Sequence, residues 1–85
     1  MEIFHSPQFS REYKKLPEKI KLIAEKREQF FRQDPFYPPL NTHKLKGRLT
    51  GFWAFSLDYR FRIIFEFGAK GIVYFHSVGD HGIYD

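Results

Sequence analysis

The feature that most constrains this chain is a change of hydrophobic period at Thr50. Before it, apolar residues recur at helical spacing; after it, they alternate. Such a chain must build a helical layer and then a sheet. Neither layer can bury its apolar side except against the other. The expected fold class is α+β, with an N-terminal strand and a helical hairpin packed on one face of a small antiparallel β-sheet.

The first half supplies the helices. Glu2 to His5 is a short strand candidate. Ser6 then fits a helix N-cap and Pro7 the first helical position, and Phe9, Tyr13 and Leu16 follow at helical spacing. Pro17 closes that helix and opens a second, on which Ile20, Ile23, Ala24, Phe30 and Phe31 mark one stripe. Lys21 with Glu25, and Glu28 with Arg32, are i,i+4 pairs on its other side. Asp34-Pro35 ends it. Residues 36–49 are Pro-rich and then basic, hence mostly loop.

The second half supplies the sheet. Phe52 to Leu57 is a strand, a turn falls near Asp58-Tyr59, and a second strand follows. In that strand Tyr59, Phe61, Ile63, Phe65 and Phe67 share one face, and Arg60, Arg62, Ile64 and Glu66 the other. Gly68 to Gly71 is a hairpin turn, and Ile72 to Val78 a third strand that stops at Gly79. The helices cover the aromatic face of this meander. The face bearing Arg60 and Arg62 is left open.

A chain of 85 residues allows one domain, over 1–85, with a thin core. Its 11 Phe compensate, since aromatic side chains bury the most area per residue. The absence of Cys excludes disulfides, thiolate chemistry and Cys-based zinc sites, and fits a reducing cytoplasm. No apolar run approaches the ~20 residues of a membrane span, and residues 1–10 lack a signal-peptide profile. The expectation is a soluble cytoplasmic protein with no membrane partner.

Charge is unevenly placed. The formal net charge is +4. Residues 1–40 carry eight Lys/Arg against six Asp/Glu, as a solvated helix face does. Between 43 and 62, Lys44, Lys46, Arg48, Arg60 and Arg62 face Asp58 alone. Such a patch suits a polyanion.

Within it, His43-Lys-Leu-Lys-Gly47 joins an imidazole, able to move a proton near neutral pH, to two cations. A solvated basic loop with a bystander His is the commoner explanation of such a pattern. Arg60 and Arg62, at i,i+2, could hold a phosphate in planar geometry, or could bridge to Glu66 or Asp58. His81, with Tyr84 close behind, could reach across the open face as a general acid, or be a surface residue. His76 lies within a strand, where a packed and satisfied His is expected. His5 is given no role. No metal-ligand spacing, nucleophile elbow or phosphate-cradling Gly loop is present.

Taken together, His43-Lys-Leu-Lys-Gly-Arg-Leu-Thr-Gly-Phe-Trp53, Tyr59-Arg-Phe-Arg-Ile-Ile-Phe65 and Ser77-Val-Gly-Asp-His81 with Tyr84 resemble the RelE/ParE toxin superfamily. More narrowly, they are similar to its RelE, YoeB and YafQ branch of messenger-RNA endonucleases. The resemblance implies a RelE-like fold and a toxin neutralised by a cognate antitoxin. It implies cleavage of messenger RNA in the ribosomal 30S A site. It implies His43 as general base, Lys44 and Lys46 beside the scissile phosphate, and Arg62 as the phosphate-binding cation. His81 would be the general acid and Tyr84 a nucleotide-stacking aromatic. Arg48 and Arg60 join the substrate-binding set as neighbouring cations. Ser56 and Arg60 stand where YafQ-like members carry a further His and Asp. The alternatives are a ParE-like inhibitor of DNA gyrase and an inactive binding module of the same fold.

The implied chemistry is internal phosphoryl transfer. A base takes the proton of the RNA 2′-OH, that oxygen attacks the adjacent phosphorus, cations hold the phosphoryl oxygens, and an acid protonates the leaving 5′ oxygen. It calls for no metal and no cofactor, and DNA, lacking the 2′-OH, would not be cut.

Overall fold

The computed structural model describes residues 1–80. Ser6 caps the first helix: its hydroxyl accepts the Phe9 N–H at 2.9 Å, with Pro7 in the first turn. In chain order the elements are β1 (Glu2–His5), α1 (Pro7–Lys14), α2 (Glu18–Gln33), β2 (His43–Lys44), β3 (Trp53–Ser56), β4 (Arg62–Phe67) and β5 (Ile72–Gly79). Single turns of 3₁₀ helix cover Pro38–Leu40 and Gly47–Leu49. No helix of the described residues is long and apolar enough to cross a membrane.

The α+β architecture is as the period change requires, and the sheet is larger than the three-stranded meander. Its order is β1-β5-β4-β3-β2. The meander β3-β4-β5 is antiparallel, β2 adds an antiparallel edge, and β1 adds the other edge in parallel to β5, from Glu2 opposite Ile72 to His5 opposite Phe75. The sheet is therefore mixed. The parallel pair has a simple cause. The chain leaves β1 directly into α1, and reaches β5 only after both helices and β2, β3 and β4 have been laid down.

One face of the sheet is closed by the helices. Phe31 of α2 is fully buried against Phe55, Phe65 and Phe75, one ring from each meander strand, at centroid distances of 4.7, 4.9 and 5.7 Å. Stacked and edge-on rings of this kind add about 0.5–1.5 kcal/mol per pair beyond their buried area. Ile20 and Ala24 of the predicted stripe are buried with Phe31, and Ile23 packs on the core. Of the predicted surface pairs, Arg32–Glu28 forms at 3.3 Å, whereas Lys21 turns to Glu18 at 3.6 Å rather than to Glu25.

Two local features shape the opposite face. Along β4–β5, Ile64 pairs with Ser77 but Phe65 with Phe75, so His76 is an extra residue at a bulge. Beyond His5, where β1 stops, α1 takes over the exposed edge of β5. The Glu12 carboxylate accepts the Ser77 hydroxyl at 2.7 Å and the Val78 N–H at 3.1 Å. A side chain thus satisfies a strand edge that the two-layer pattern leaves unpaired.

Candidate functional site

Strand register sorts the candidate residues by face, because paired residues point the same way and neighbours alternate. His43 pairs with Ala54, Ala54 with Ile64, and Ile64 with Ser77. The adjacent same-face row is Ser56, Arg62 and Gly79. His43 and Arg62 therefore share the face away from the helices. They are two strands and one step apart, roughly 12 Å between Cα atoms from standard sheet spacings.

Lys44 does not join them. As the next residue along β2 it pairs with Trp53 on the helix-side face, and its Nζ sits 5.5 Å from the centre of the Trp53 ring. The run His43-Lys44 is divided between two faces by the alternation of a two-residue strand. Lys46 and Arg48 are exposed on the loop and 3₁₀ turn that follow.

The exposed His43 ring is fixed by a local contact. Its Nδ1 lies 2.8 Å from the Asn41 carbonyl, and Asn41 reaches that position through a left-handed backbone, φ +52°. A carbonyl can only accept, so Nδ1 carries the hydrogen and Nε2 of the neutral ring keeps its lone pair. That is the tautomer a general base needs.

Arg60 and Arg62 do not share a strand face. The turn before β4 spans Leu57 to Phe61, closed by the Leu57 N–H donating to the Phe61 carbonyl at 2.9 Å. Arg60 lies within it, its guanidinium 5.4 Å from the Phe61 ring centre and 3.9 Å from the Asp80 carboxylate. The carboxylate of Asp58 holds the turn by accepting the Arg60 and Phe61 N–H groups at 2.8 and 2.7 Å. Alternation fails here because an Asx-type turn, not a strand, carries residues 58–61.

Arg62 opens β4 and reaches back over that turn. Its guanidinium donates to the carbonyls of Asp58 at 3.1 Å, Tyr59 at 3.3 Å and Phe61 at 3.4 Å. No carboxylate of the described residues forms an ion pair with it. Carbonyl partners orient a guanidinium without cancelling its charge, so Arg62 keeps its attraction for an anion. β5 ends at Gly79, opposite Arg62. His81 and Tyr84 lie outside the described residues.

His76 is satisfied, as expected of a strand His: Nε2 is 3.2 Å from Glu66 Oε1, and the ring meets Phe52 edge-on at 4.9 Å. His5 stacks on Phe75 at 5.7 Å and sits 4.0 Å from Glu28. Among the described residues no three His, Asp or Glu side chains cluster as a metal would need. A groove of about 630 Å³ between α1 and α2, floored by Phe9, Tyr13, Ala24 and Ile63, contains none of the candidate residues.

Sequence reasoning missed two supporting groups. Asp58 is expected there near a turn and as a possible ion-pair partner of Arg60 or Arg62; its carboxylate instead holds the turn through the Arg60 and Phe61 N–H groups, and its backbone carbonyl binds Arg62. Glu12 reads as one more helix-surface charge, and its role follows only from β1 stopping short of Ser77. The Asp-x-Arg spacing of a turn was a usable signal for the first. No local signal marks the second.

No family model and no curated protein sequence matches the chain. Solved structures do match. YafQ from Escherichia coli strain BL21(DE3) superposes with a TM-score of 0.81 at 17% identity, over 98% of this chain and 96% of that one. A YoeB/ParE toxin from Agrobacterium tumefaciens gives 0.80 at 14% identity, over 95% and 99%. The RelBE2 toxin–antitoxin complex of Mycobacterium tuberculosis gives 0.76 at 16% identity, over 94% and 96%. The chain has the fold of these toxins, over nearly its whole length.

Proposed function

We propose, from the fold shared with the RelE, YoeB and YafQ toxins, that this chain is a single-domain toxin of a bacterial type II toxin–antitoxin pair. In this reading it is a cytoplasmic, metal-independent endoribonuclease that cleaves messenger RNA on the ribosome. The observation that carries it is the placement on one face of the sheet of His43, whose Nε2 is set up as a base, and Arg62, a cation held by carbonyls and uncompensated by any described carboxylate.

His43 Nε2 takes the 2′-OH proton, and the freed oxygen attacks the adjacent phosphorus. Arg62 stabilises the charge that grows on the phosphoryl oxygens. His81, two residues past the Gly79 that faces Arg62, protonates the leaving 5′ oxygen, and Tyr84 stacks on a base. Lys46 and Arg48, exposed on the segment after β2, and Arg60, exposed in the turn before β4, bind the RNA backbone. Lys44, on the far side of β2, contributes to the overall field rather than to the phosphate. A cognate antitoxin covers the site when the toxin is silent.

The test is cleavage mapping on messenger RNA in a translating extract with the wild type, His43→Ala and His81→Ala. Loss of general acid or base help costs about 10²–10⁴-fold in rate. Either variant should lose cleavage to that extent while keeping its melting temperature. A wild type that cuts no RNA but blocks DNA gyrase would overturn this reading in favour of a ParE-like inhibitor. Undiminished cleavage by His43→Ala would remove His43 as the base.

A further inference from the structure

The open face extends well beyond His43 and Arg62, and its far end is aromatic. Phe4 of β1 and Tyr74 of β5 are register partners whose rings stack at 5.9 Å and 25°, yet they remain 46% and 40% exposed. Tyr74 pairs across with Glu66, which shares the face of Arg62 and Ile64. An exposed, stacked pair of rings on a sheet contributes little to the core. Surfaces of this kind mark binding sites.

Between these rings and Arg62 lies a groove of about 350 Å³. Leu49, Phe52 and Ile64 form its apolar walls, and His76 and Gln8 contribute polar groups. His76 shares this face with Tyr74, two residues earlier on β5, and the bulge brings Ser77 beside it opposite Ile64. Its ring is held by Glu66 on one side and Phe52 on the other, and lies 6.5 Å from the Tyr74 ring, tilted by 34°. Glu66, the carboxylate in the middle of the face, is engaged by His76 and is not bare. Gly68 leaves room for Tyr74: a Cβ there would come within 2.8 Å of the Tyr74 ring.

We propose that β5 and its neighbours form a track for single-stranded RNA running from Arg62, with two base-binding stations, the His76–Phe52 groove and the Tyr74–Phe4 platform. This rests on the ribonuclease reading and extends it from the cut site to the flanking nucleotides. The rows through Arg62, Ile64 and Glu66 succeed one another by about 6.8 Å, the step of same-face residues on a strand. An extended single strand places successive bases at comparable intervals. Aromatic rings on an open sheet are a general means of gripping unpaired RNA, because every base presents a π-face. A protein partner laid over the same rings is the competing occupant. RNA is favoured by the alignment of both stations with Arg62 on one face and by the imidazole and amide, which can address base edges, between them.

The experiment uses the full chain and 2′-O-methylated oligoribonucleotides, which bind but cannot undergo 2′-OH attack. Fluorescence anisotropy is read for a trinucleotide and a hexanucleotide. The wild type should bind the hexanucleotide more tightly. Tyr74→Ala and Phe4→Ala should each weaken hexanucleotide binding by roughly 5- to 100-fold, the range for one stacked base, and leave the trinucleotide unchanged. Tyr74→Phe should retain binding, whereas Tyr74→Leu, which keeps bulk without a π-face, should not. Unchanged hexanucleotide affinity in Tyr74→Leu and Phe4→Ala overturns the track and leaves the ribonuclease reading standing. So does a wild type that cuts messenger RNA in the extract yet binds no free oligonucleotide. A wild type that neither binds nor cuts overturns both. Loss of a co-expressed protein partner by Tyr74→Leu, with RNA binding intact, assigns the rings to that partner and overturns the track.

Discussion

The two faces of the sheet are made by the same strands and could hardly differ more. Toward the helices, Phe55, Phe65 and Phe75 are fully buried around Phe31. Away from them, His43, Arg62, Glu66 and His76 are partly or fully exposed, each with a specific polar contact. Alternation along a strand gives one set of residues to the core and the other to polar contacts at the surface. The difference teaches that the two should be separable by substitution, residue by residue.

The hardest blow to that comparison falls on the buried face. Phe31→Ala should cost about 3–5 kcal/mol, a large share of the ~5–15 kcal/mol that holds a domain of ordinary stability. The denaturant midpoint in urea should drop accordingly. A loss under about 1 kcal/mol would mean that the rings are not the anchor. On the open face, Arg62→Ala should lower cleavage about 10²–10³-fold, the range for removing one transition-state donor, while its lost contacts to the turn carbonyls cost about 1 kcal/mol, well short of the Phe31→Ala loss. Arg62→Lys should recover little, because an ammonium cannot span three carbonyls and a phosphate at once.

Asp58 sharpens the comparison because it serves the open face through the backbone. Asp58→Ala should destabilise by about 1 kcal/mol through loss of its two turn hydrogen bonds and reduce cleavage about tenfold as Arg62 loses its seat. Asp58→Asn, which can still accept both N–H groups, should restore most of each. A rise in activity for Asn would show that the carboxylate charge had been opposing the substrate. The smallest effect concerns Tyr13, on α1 beside the core. Burial, then the carboxylates of Glu25, Glu28 and Glu18, raise its phenol above the ordinary value of 10.0. The folded chain therefore keeps this proton to higher pH than the unfolded chain. Stability is full below the unfolded value and declines as pH rises through 10 toward the folded one. Equilibrium unfolding of wild type and Tyr13→Phe at pH 9 and above should show a shallower decline in the variant.

Much of the buried face was legible in the sequence. The stripe of α2, the Ser6–Pro7 start and the alternation around Ile63 and Phe65 are local patterns that burial imposes directly. The open face was legible only in part. Arg62 falls on it as read, and His43, read only as part of a basic loop or strand start, joins it through its pairing with Ala54. Arg60 does not, because the Asp58 turn interrupts the alternation that placed it there. Lys44 does not, because β2 is two residues long and shows no period of its own. The parallel pairing of β1 and the bulge at His76 depend on partners some 70 and 10 residues away in the chain, Phe75 for His5 and Glu66 for His76. Nothing in a local window encodes them.

The pairing of Glu2 with Ile72 also has a kinetic side. β1 and β5 lie near opposite ends of the described chain, so closing that edge requires pairing across some 70 residues. Contacts of such high sequence separation slow folding. During synthesis β1 has no partner until β5 has been made, and α1 has no strand to lie on. The face away from the helices, its β1–β5 edge included, is therefore complete only once β5 has been made.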